Sequence, residues 1–268
     1  MFFMQSISLL QIAPTLAEFF GVHLVSQARP VEQILNFAYS RKPIPKVVVL
    51  VVVDSLDFRF YFDFADALGG IHELVKRDGL LFECETVSNH TTPAIASILT
   101  GLRPESHGIL TNDDVGTSNV NSILEILEDE GQKTAAAIET KGAEPLWGRI
   151  SHVFAVDDRE DIFEYDELIK THTISVLKKQ DLRLAFSHLR AIDRFAHRGL
   201  DLSVAAKATD ENIRAIATAV GERDGMLFIC GDHETHLKDR KAKQATHGKA
   251  PAATVPLIVC CPYCGKGQ

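Results

Sequence analysis

The sequence contains few cysteines. Five among 268 residues are too few for a scaffold that depends on disulfides. Three of them crowd the C-terminal end, as Cys260, Cys261 and Cys264. Because no second pair completes a zinc-ribbon spacing, we expect thiols rather than a metal site there. Their role stays open at this stage.

Basic residues are also in short supply. The formal net charge is −8, with 28 Lys and Arg against 36 Asp and Glu. This balance argues against a protein that binds nucleic-acid polymers. It does not exclude a small phosphate substrate, because bound metal ions can supply local positive charge.

Long hydrophobic runs are missing. The apolar run over residues 47–53 is far too short to cross a bilayer. The first residues are apolar, but they have no basic flank and Glu18 interrupts them, which is atypical of a secretory leader. We therefore expect a soluble, cytoplasmic protein without a membrane partner.

Strand and helix patterns alternate along the chain. They predict a three-layer α/β/α sandwich with a mostly parallel central sheet, in a single domain over residues 1–268. The β-branched run 47–53 lacks alternation, which indicates a strand buried on both faces. Strands are predicted at 47–53, 80–87, 134–138, 153–156, 182–186, 226–230 and 254–259.

Potential metal ligands follow three of these strands. They are Asp54, then Asp193 with His197 in a polar loop after 182–186, then Asp232 with His233. His247 lies in a further loop, next to a glycine. Carboxylates and imidazoles suit Zn²⁺, Mn²⁺ or iron. In open α/β sheets, ligands bind outside the carboxyl ends of the strands, so these residues are placed where a site is expected.

A threonine pair precedes a predicted helix. Pro93 is predicted at its first position, where a missing N–H costs nothing. Thr91 and Thr92 would then lie just before the helix, where free N–H groups and the dipole favour an anion. An activated hydroxyl there can act as a nucleophile. Taken alone, the position favours an N-cap threonine over a nucleophile.

The segment Thr100-Gly101-Leu102-Arg103-Pro104-Glu105-Ser106-His107-Gly108-Ile109 resembles one that follows the nucleophile in the alkaline phosphatase superfamily. The nearest branch is the nucleotide pyrophosphatase/phosphodiesterase branch, and the resemblance covers most of residues 47–259. It implies an alkaline-phosphatase-like fold. The family nucleophile lies two residues before the proline, which corresponds to Thr91.

The resemblance also implies two divalent metal ions, Zn²⁺ or alternatively Mn²⁺. One would be bound by Asp54, Thr91, Asp232 and His233, and the other by Asp193, His197 and His247. Asn112 matches an asparagine that binds a non-bridging phosphate oxygen. The implied reaction is hydrolysis of phosphodiester or pyrophosphate bonds in a small-molecule substrate through a phospho-threonine intermediate.

Other activities stay open. A phosphomonoesterase or phosphonate hydrolase could use the same site, and so could a member that binds a metal or metabolite without catalysis. A sulfatase is disfavoured because Ile95 stands where sulfatases have Arg. Cofactor-independent phosphoglycerate mutases carry a large inserted domain for which this chain has no room. The sequence identifies neither the leaving group nor the oligomeric state.

The N-terminal segment departs from the family order. Residues 7–21 resemble a segment that normally follows the last strand, matched here by 255–259. We therefore hypothesise a circular permutation in which residues 1–40 pack beside that strand. The alternative is an ordinary pair of amphipathic helices.

Overall fold

The computed structural model describes residues 7–235 and 253–262, and their centre is an eight-stranded sheet. The order is β1-β3-β8-β7-β2-β6-β4-β5, and β8 alone runs antiparallel to its neighbours. The strands are β1 Ile7–Ser8, β2 Val48–Val53, β3 Gly79–Glu85, β4 Lys133–Glu139, β5 His152–Val156, β6 Leu182–Leu189, β7 Met226–Gly231 and β8 Thr254–Cys260.

Helices cover both faces of this sheet. They are α1 Ile12–Phe20, α2 Glu32–Tyr39, α3 Phe58–Asp63, α4 Gly69–Asp78, α5 Thr91–Thr100, α6 Pro104–His107, α7 Ile123–Asp129, α8 Thr140–Ala143, α9 Ile162–Val176, α10 Ala191–Arg198 and α11 Leu202–Gly221. Within the described ranges, none of them combines the length and apolarity needed to cross a bilayer.

Strand β2 shows why the fold has three layers. Every residue of β2 is buried, because β6 and β7 flank it and helices cover both faces. Successive side chains of a strand point to opposite faces. Accordingly, Val49 and Val51 join a core with α9, α10 and α11, while Leu50 and Val52 join a second core with α1, α5 and α7. The predicted three-layer α/β/α class is confirmed.

Two local predictions were wrong. Helix α5 begins at Thr91, so Pro93 is its third residue rather than its first. The N–H groups of a first helical turn need no intrahelical acceptor, so a proline is also tolerated there. The predicted polar loop after residue 186 is the end of β6 followed by α10. Its polar residues Ser187 and His188 are buried within the strand.

The N-terminal segment lies near β8 but does not pair with it. Strand β1 pairs with β3, which separates it from β8. The side chains of α1 and α2 share a core with Val255, Leu257 and Val259 of β8. Packing on the same face of the sheet is compatible with the permutation, which stays a hypothesis.

Gly231 is the last residue of β7 and immediately precedes Asp232. A substitution there tests how closely β7 approaches the segment that contains Leu56. A Cβ atom there would collide with the backbone carbonyl oxygen of Leu56, which cannot move aside as a side chain can. We expect Gly231→Ala to lower the free energy of unfolding by about 3 kcal/mol or more.

Urea denaturation measures this effect, and Gly69→Ala is the matched control. Gly69 opens α4, and a Cβ there meets nothing within 4 Å. Its variant should stay within about 1 kcal/mol of the wild type. Equal stability of the two variants would contradict the close approach at Gly231.

Candidate active site

Asp54 follows β2 at the centre of the sheet. Its backbone N–H donates to the Leu189 carbonyl of the neighbouring strand at 2.8 Å, so its position is fixed. The side chain is buried. One carboxylate oxygen, Oδ1, lies 3.3 Å from His233 Nε2, and the other, Oδ2, lies 3.6 Å from His188 Nε2. The carboxylate therefore faces two different groups of side chains.

Asp232 and His233 follow the adjacent strand β7. The ligand atoms of Asp54, Asp232 and His233 all lie within 4.8 Å of one another. Asp232 Oδ1 accepts hydrogen bonds from the backbone N–H of Ser55, at 3.0 Å, and of His233, at 2.9 Å. Its Oδ2 is buried and accepts no hydrogen bond from the described residues, and His233 Nε2 lies 3.5 Å from it. A buried carboxylate oxygen without a donor fits a site for a cation.

Thr91 is the first residue of α5 and faces the same cluster. Its Oγ1 lies 3.1 Å from His233 Nε2 and 3.5 Å from Asp54 Oδ1. Asn112 lies beside it, since Asn112 Oδ1 accepts a hydrogen bond of 3.0 Å from the backbone N–H of Thr92. That bond leaves the Asn112 amide NH₂ group available as a donor, and Asn112 and Thr91 line the same cavity.

Asp193 and His197 lie one turn apart on α10. Asp193 Oδ1 is 3.4 Å from His197 Nε2. Ser55 connects this pair to the first cluster, because its Oγ donates to Asp193 Oδ1 at 2.7 Å while its N–H donates to Asp232. Ser55 has a φ of 64°, a left-handed conformation that is strained for a residue with a Cβ.

The cluster has an unusual electrostatic balance. Burial and then the neighbouring Asp54 raise the pKa of Asp232 to about 8, and the same two causes raise the pKa of Asp193. Burial also opposes the charge of Asp54, but the histidines and Arg190 outweigh it and lower the pKa of this carboxyl. Crowded carboxylates of this kind need a bound cation or proton to offset their repulsion.

These residues fit the two expected metal sites to different extents. Asp54, Thr91, Asp232 and His233 converge as a set of oxygen and nitrogen ligands that suits one cation. Asp193 and His197 lie together across Ser55 and supply part of a second set. His247, predicted to complete it, lies outside the described residues.

A cavity of about 650 Å³ opens beside Thr91. The residues that line it include the polar Asn112, His188 and Arg190 and the apolar Ile95, Leu99, Ile138 and Phe186. A volume of this size is typical of pockets for small organic ligands. The arrangement can therefore bind the remainder of a substrate whose reacting group lies at Thr91.

Sequence reasoning missed four residues that shape this site. They are Ser55, Asp166, His188 and Arg190. Burial lowers the pKa of His188 to about 4, so it is neutral at pH 7, and its Nε2 forms no hydrogen bond within residues 7–235 and 253–262. His188 and Arg190 would have been recognised if β6 had been predicted to continue through Leu189. No local sequence signal marks Ser55 or Asp166.

The family relationship follows from a comparison of sequence patterns. The model of one family, described as Type I phosphodiesterase / nucleotide pyrophosphatase, matches residues 48–236. The chain belongs to this family. The matched region includes Asp54, Thr91, Asp193, Asp232 and their neighbours. No curated protein sequence matched the chain significantly.

Solved structures with the same fold have low sequence identity. Phosphonoacetate hydrolase from Sinorhizobium meliloti 1021, in complex with phosphonoformate, has a TM-score of 0.58 at 15% identity. The match covers 71% of this chain but only 57% of that enzyme's chain. The alkaline phosphatase superfamily fold predicted from the sequence is confirmed.

Two further structures are similar over more of this chain. The C-terminal periplasmic domain of EcEptC from Escherichia coli, in complex with Zn, has a TM-score of 0.55 at 16% identity, covering 81% of this chain and 73% of that one. The lipoteichoic acid synthase LtaP from Listeria monocytogenes has a TM-score of 0.56 at 14% identity, covering 96% and 72%.

Asp166 controls where α10 begins, and it generates a prediction about pH. Its buried carboxylate on α9 accepts hydrogen bonds from the backbone N–H groups of Arg190, at 2.7 Å, and Ala191, at 3.0 Å. Burial raises the pKa of Asp166 to about 7 despite these bonds. In the unfolded chain, the Asp166 carboxyl ionises near its ordinary pKa of 3.8. The free energy of unfolding therefore falls as the pH rises from about 4 to 7.

Asp166→Asn removes this titration. We expect the stability of the wild type relative to the variant to decline across that pH range, as measured by urea denaturation of the metal-free chain at several pH values. The other titrating groups are common to both proteins and cancel in the difference. A difference that is constant from pH 4 to 7 would contradict the raised pKa.

Proposed function

We propose that this protein hydrolyses phosphodiester or pyrophosphate bonds of a small molecule, with Thr91 as the nucleophile and two divalent metal ions as cofactors. One observation carries the proposal: the Thr91 hydroxyl lies at the first turn of α5, within 3.5 Å of both Asp54 and His233. An isolated N-cap threonine has no need of such neighbours.

The residues of the chain have distinct roles in this reaction. The Thr91 oxygen would lose its proton and form a bond to phosphorus as the bond from phosphorus to the leaving oxygen breaks. The leaving oxygen takes up a proton, and the product is a phospho-threonine. Water then cleaves that ester and regenerates the hydroxyl. The Asn112 amide NH₂ group would donate to the non-bridging oxygens, where negative charge accumulates.

The metal ligands are proposed as two sets. Asp54, Thr91, Asp232 and His233 would bind one ion, and Asp193, His197 and His247 the other. When bound, such ions lower the pKa of the hydroxyl and supply positive charge for the phosphoryl group. The ligand types suit Zn²⁺ and Mn²⁺. Ser55 would keep the two sets in a fixed relation, since it bonds to an aspartate of each.

The comparisons support this class of chemistry. Membership of the Type I phosphodiesterase / nucleotide pyrophosphatase family favours a diester or pyrophosphate substrate. The similarity to a periplasmic domain in complex with Zn supports zinc as a cofactor. The similarity to a phosphonoacetate hydrolase supports a second candidate, hydrolysis of a phosphonate at the same site.

The surroundings proposed for the enzyme follow from composition. A net charge of −8 favours a small phosphate ester over a nucleic-acid polymer. Action in the cytoplasm, without a membrane partner, is part of the same proposal.

Metal dependence and bond preference can be tested together. After chelation, hydrolysis of bis-p-nitrophenyl phosphate should be lost, and Zn²⁺ or Mn²⁺ should restore it. The restored rate should exceed that on p-nitrophenyl phosphate, because Asn112 and the apolar side chains that line the cavity suit the second ester group of a diester. A preference for the monoester would instead identify a phosphatase. No turnover of either ester with two metal ions bound per chain would contradict the proposed hydrolase.

The nucleophile has its own test. Thr91→Val keeps the shape of the side chain but removes the hydroxyl, and should lower kcat by at least about a thousandfold. Thr91→Ser should retain turnover. Thr92→Val is the matched control, because the neighbouring threonine contributes only its backbone N–H to the contacts described above.

Trapping the intermediate separates the roles of Thr91. Acid quenching during turnover, followed by mass spectrometry, should find the phosphoryl group on a peptide that contains Thr91 in the wild type and in Thr92→Val. Its appearance on another residue, or full turnover by Thr91→Val, would refute the assignment.

A further inference from the structure

Arg190 presents a cation to the cavity without a strong partner of its own. It follows β6, and its side chain lines the cavity together with Thr91 and Asn112. Its Nε lies 3.8 Å from Asp54 Oδ2, and its Nη1 lies 3.7 Å from Asp158 Oδ1. Neither distance is that of a hydrogen bond. Among the described residues, no acceptor forms a hydrogen bond with this guanidinium.

The neighbouring acids are engaged elsewhere. Asp158 forms a closer ion pair of 2.9 Å with Arg194 and is largely exposed. Asp54 directs its other oxygen to His233 and Thr91. Glu139 also lines the cavity but lies beyond ion-pair distance of Arg190. The Arg190 side chain is only 25% exposed, so most of its surface has left water without gaining a short contact.

The position of Arg190 is fixed by the backbone. The Arg190 N–H donates to buried Asp166, and the guanidinium carbon lies 5.5 Å from the centre of the Tyr165 ring. A guanidinium held in place can bind a carboxylate or phosphate through two parallel N–H donors. Thr91 and Arg190 both lie within 4 Å of the Asp54 carboxylate, so one small molecule can reach both.

We propose that Arg190 binds a second anionic group of the substrate, a carboxylate or a further phosphate, while the reacting phosphoryl group lies at Thr91. The inference rests on the proposed function only for the position of that phosphoryl group. It narrows the substrate class to phosphate esters, pyrophosphates or phosphonates that carry a second anionic group a few bonds from the reacting phosphorus.

Binding of three matched phosphonates tests this selectivity without requiring turnover. Propylphosphonate ends in a methyl group, 3-phosphonopropionate ends in a carboxylate at the same place, and ethane-1,2-diphosphonate ends in a phosphonate. Isothermal titration calorimetry of the zinc-loaded chain should show about ten- to a hundredfold tighter binding of at least one of the two probes with a second anionic group than of propylphosphonate. The probe that is preferred identifies the second group as carboxylate or phosphate.

Variants then assign the preference to Arg190. Arg190→Gln should abolish it and leave the affinity for propylphosphonate nearly unchanged, while Arg190→Lys should keep part of it, since the charge remains but the planar fork is lost. Lys141→Gln is the control for charge alone. Lys141 is an exposed cation on the same cavity that has no ion pair with any described residue, and its variant should keep most of the preference.

Three results would overturn the inference. They are equal affinity of the wild type for all three phosphonates, equal loss of preference in Arg190→Gln and Lys141→Gln, and an equal loss for all probes in Arg190→Gln. The last would mean that Arg190 binds the reacting phosphoryl group itself. A chain that shows the preference but hydrolyses no ester would contradict the proposed function and leave the role of Arg190 intact.

Discussion

The repulsion between three buried carboxylates is the constraint on which the site depends. Asp54, Asp193 and Asp232 lie close together because the strands before them are parallel neighbours whose carboxyl ends meet at one edge. Their negative charges cannot all persist in a buried region unless cations compensate them. The histidines beside them supply part of that compensation. The charge that they leave uncompensated is unfavourable in a protein core and would be offset by a bound cation.

Ser55 converts this crowding into a defined geometry. Its backbone bonds to one aspartate and its hydroxyl to another, so a single residue fixes the separation of the two proposed ligand sets. The turn that allows this requires a positive φ, which costs on the order of 1 kcal/mol or more for a residue other than glycine. Glycine would relieve the strain but would lose the hydroxyl. The hydrogen bond from the Ser55 hydroxyl to Asp193 therefore offsets the strain of the positive φ.

The sequence predicted the fold and placed the candidate ligand residues after strands, because both inferences depend on short-range patterns. An uninterrupted β-branched run can be recognised as a central strand, and a polar residue directly after it is placed by the strand itself. Asp54 and Asp232 were found in this way. The C-terminal end of β6 was harder to predict, because Ser187 and His188 are polar yet buried. The Ser187 hydroxyl is satisfied by the Thr173 hydroxyl of α9, which lies 2.6 Å away. Contacts between distant segments decide such cases, as they do for Asp166 and Ser55.

Helix α5, which carries the proposed nucleophile Thr91, is held in place by contacts with the N-terminal segment. Helix α5 ends at Thr100, and Gly101 follows it with a positive φ. The Gly101 carbonyl accepts a hydrogen bond of 2.9 Å from the backbone N–H of Gln27. The Gln27 side chain accepts a hydrogen bond of 2.7 Å from the Arg103 N–H. Helix α1 packs against α5 in the same core. The helix that carries Thr91 at its first turn is thus held in place at its last turn, so the N-terminal segment supports the candidate site whatever its evolutionary origin.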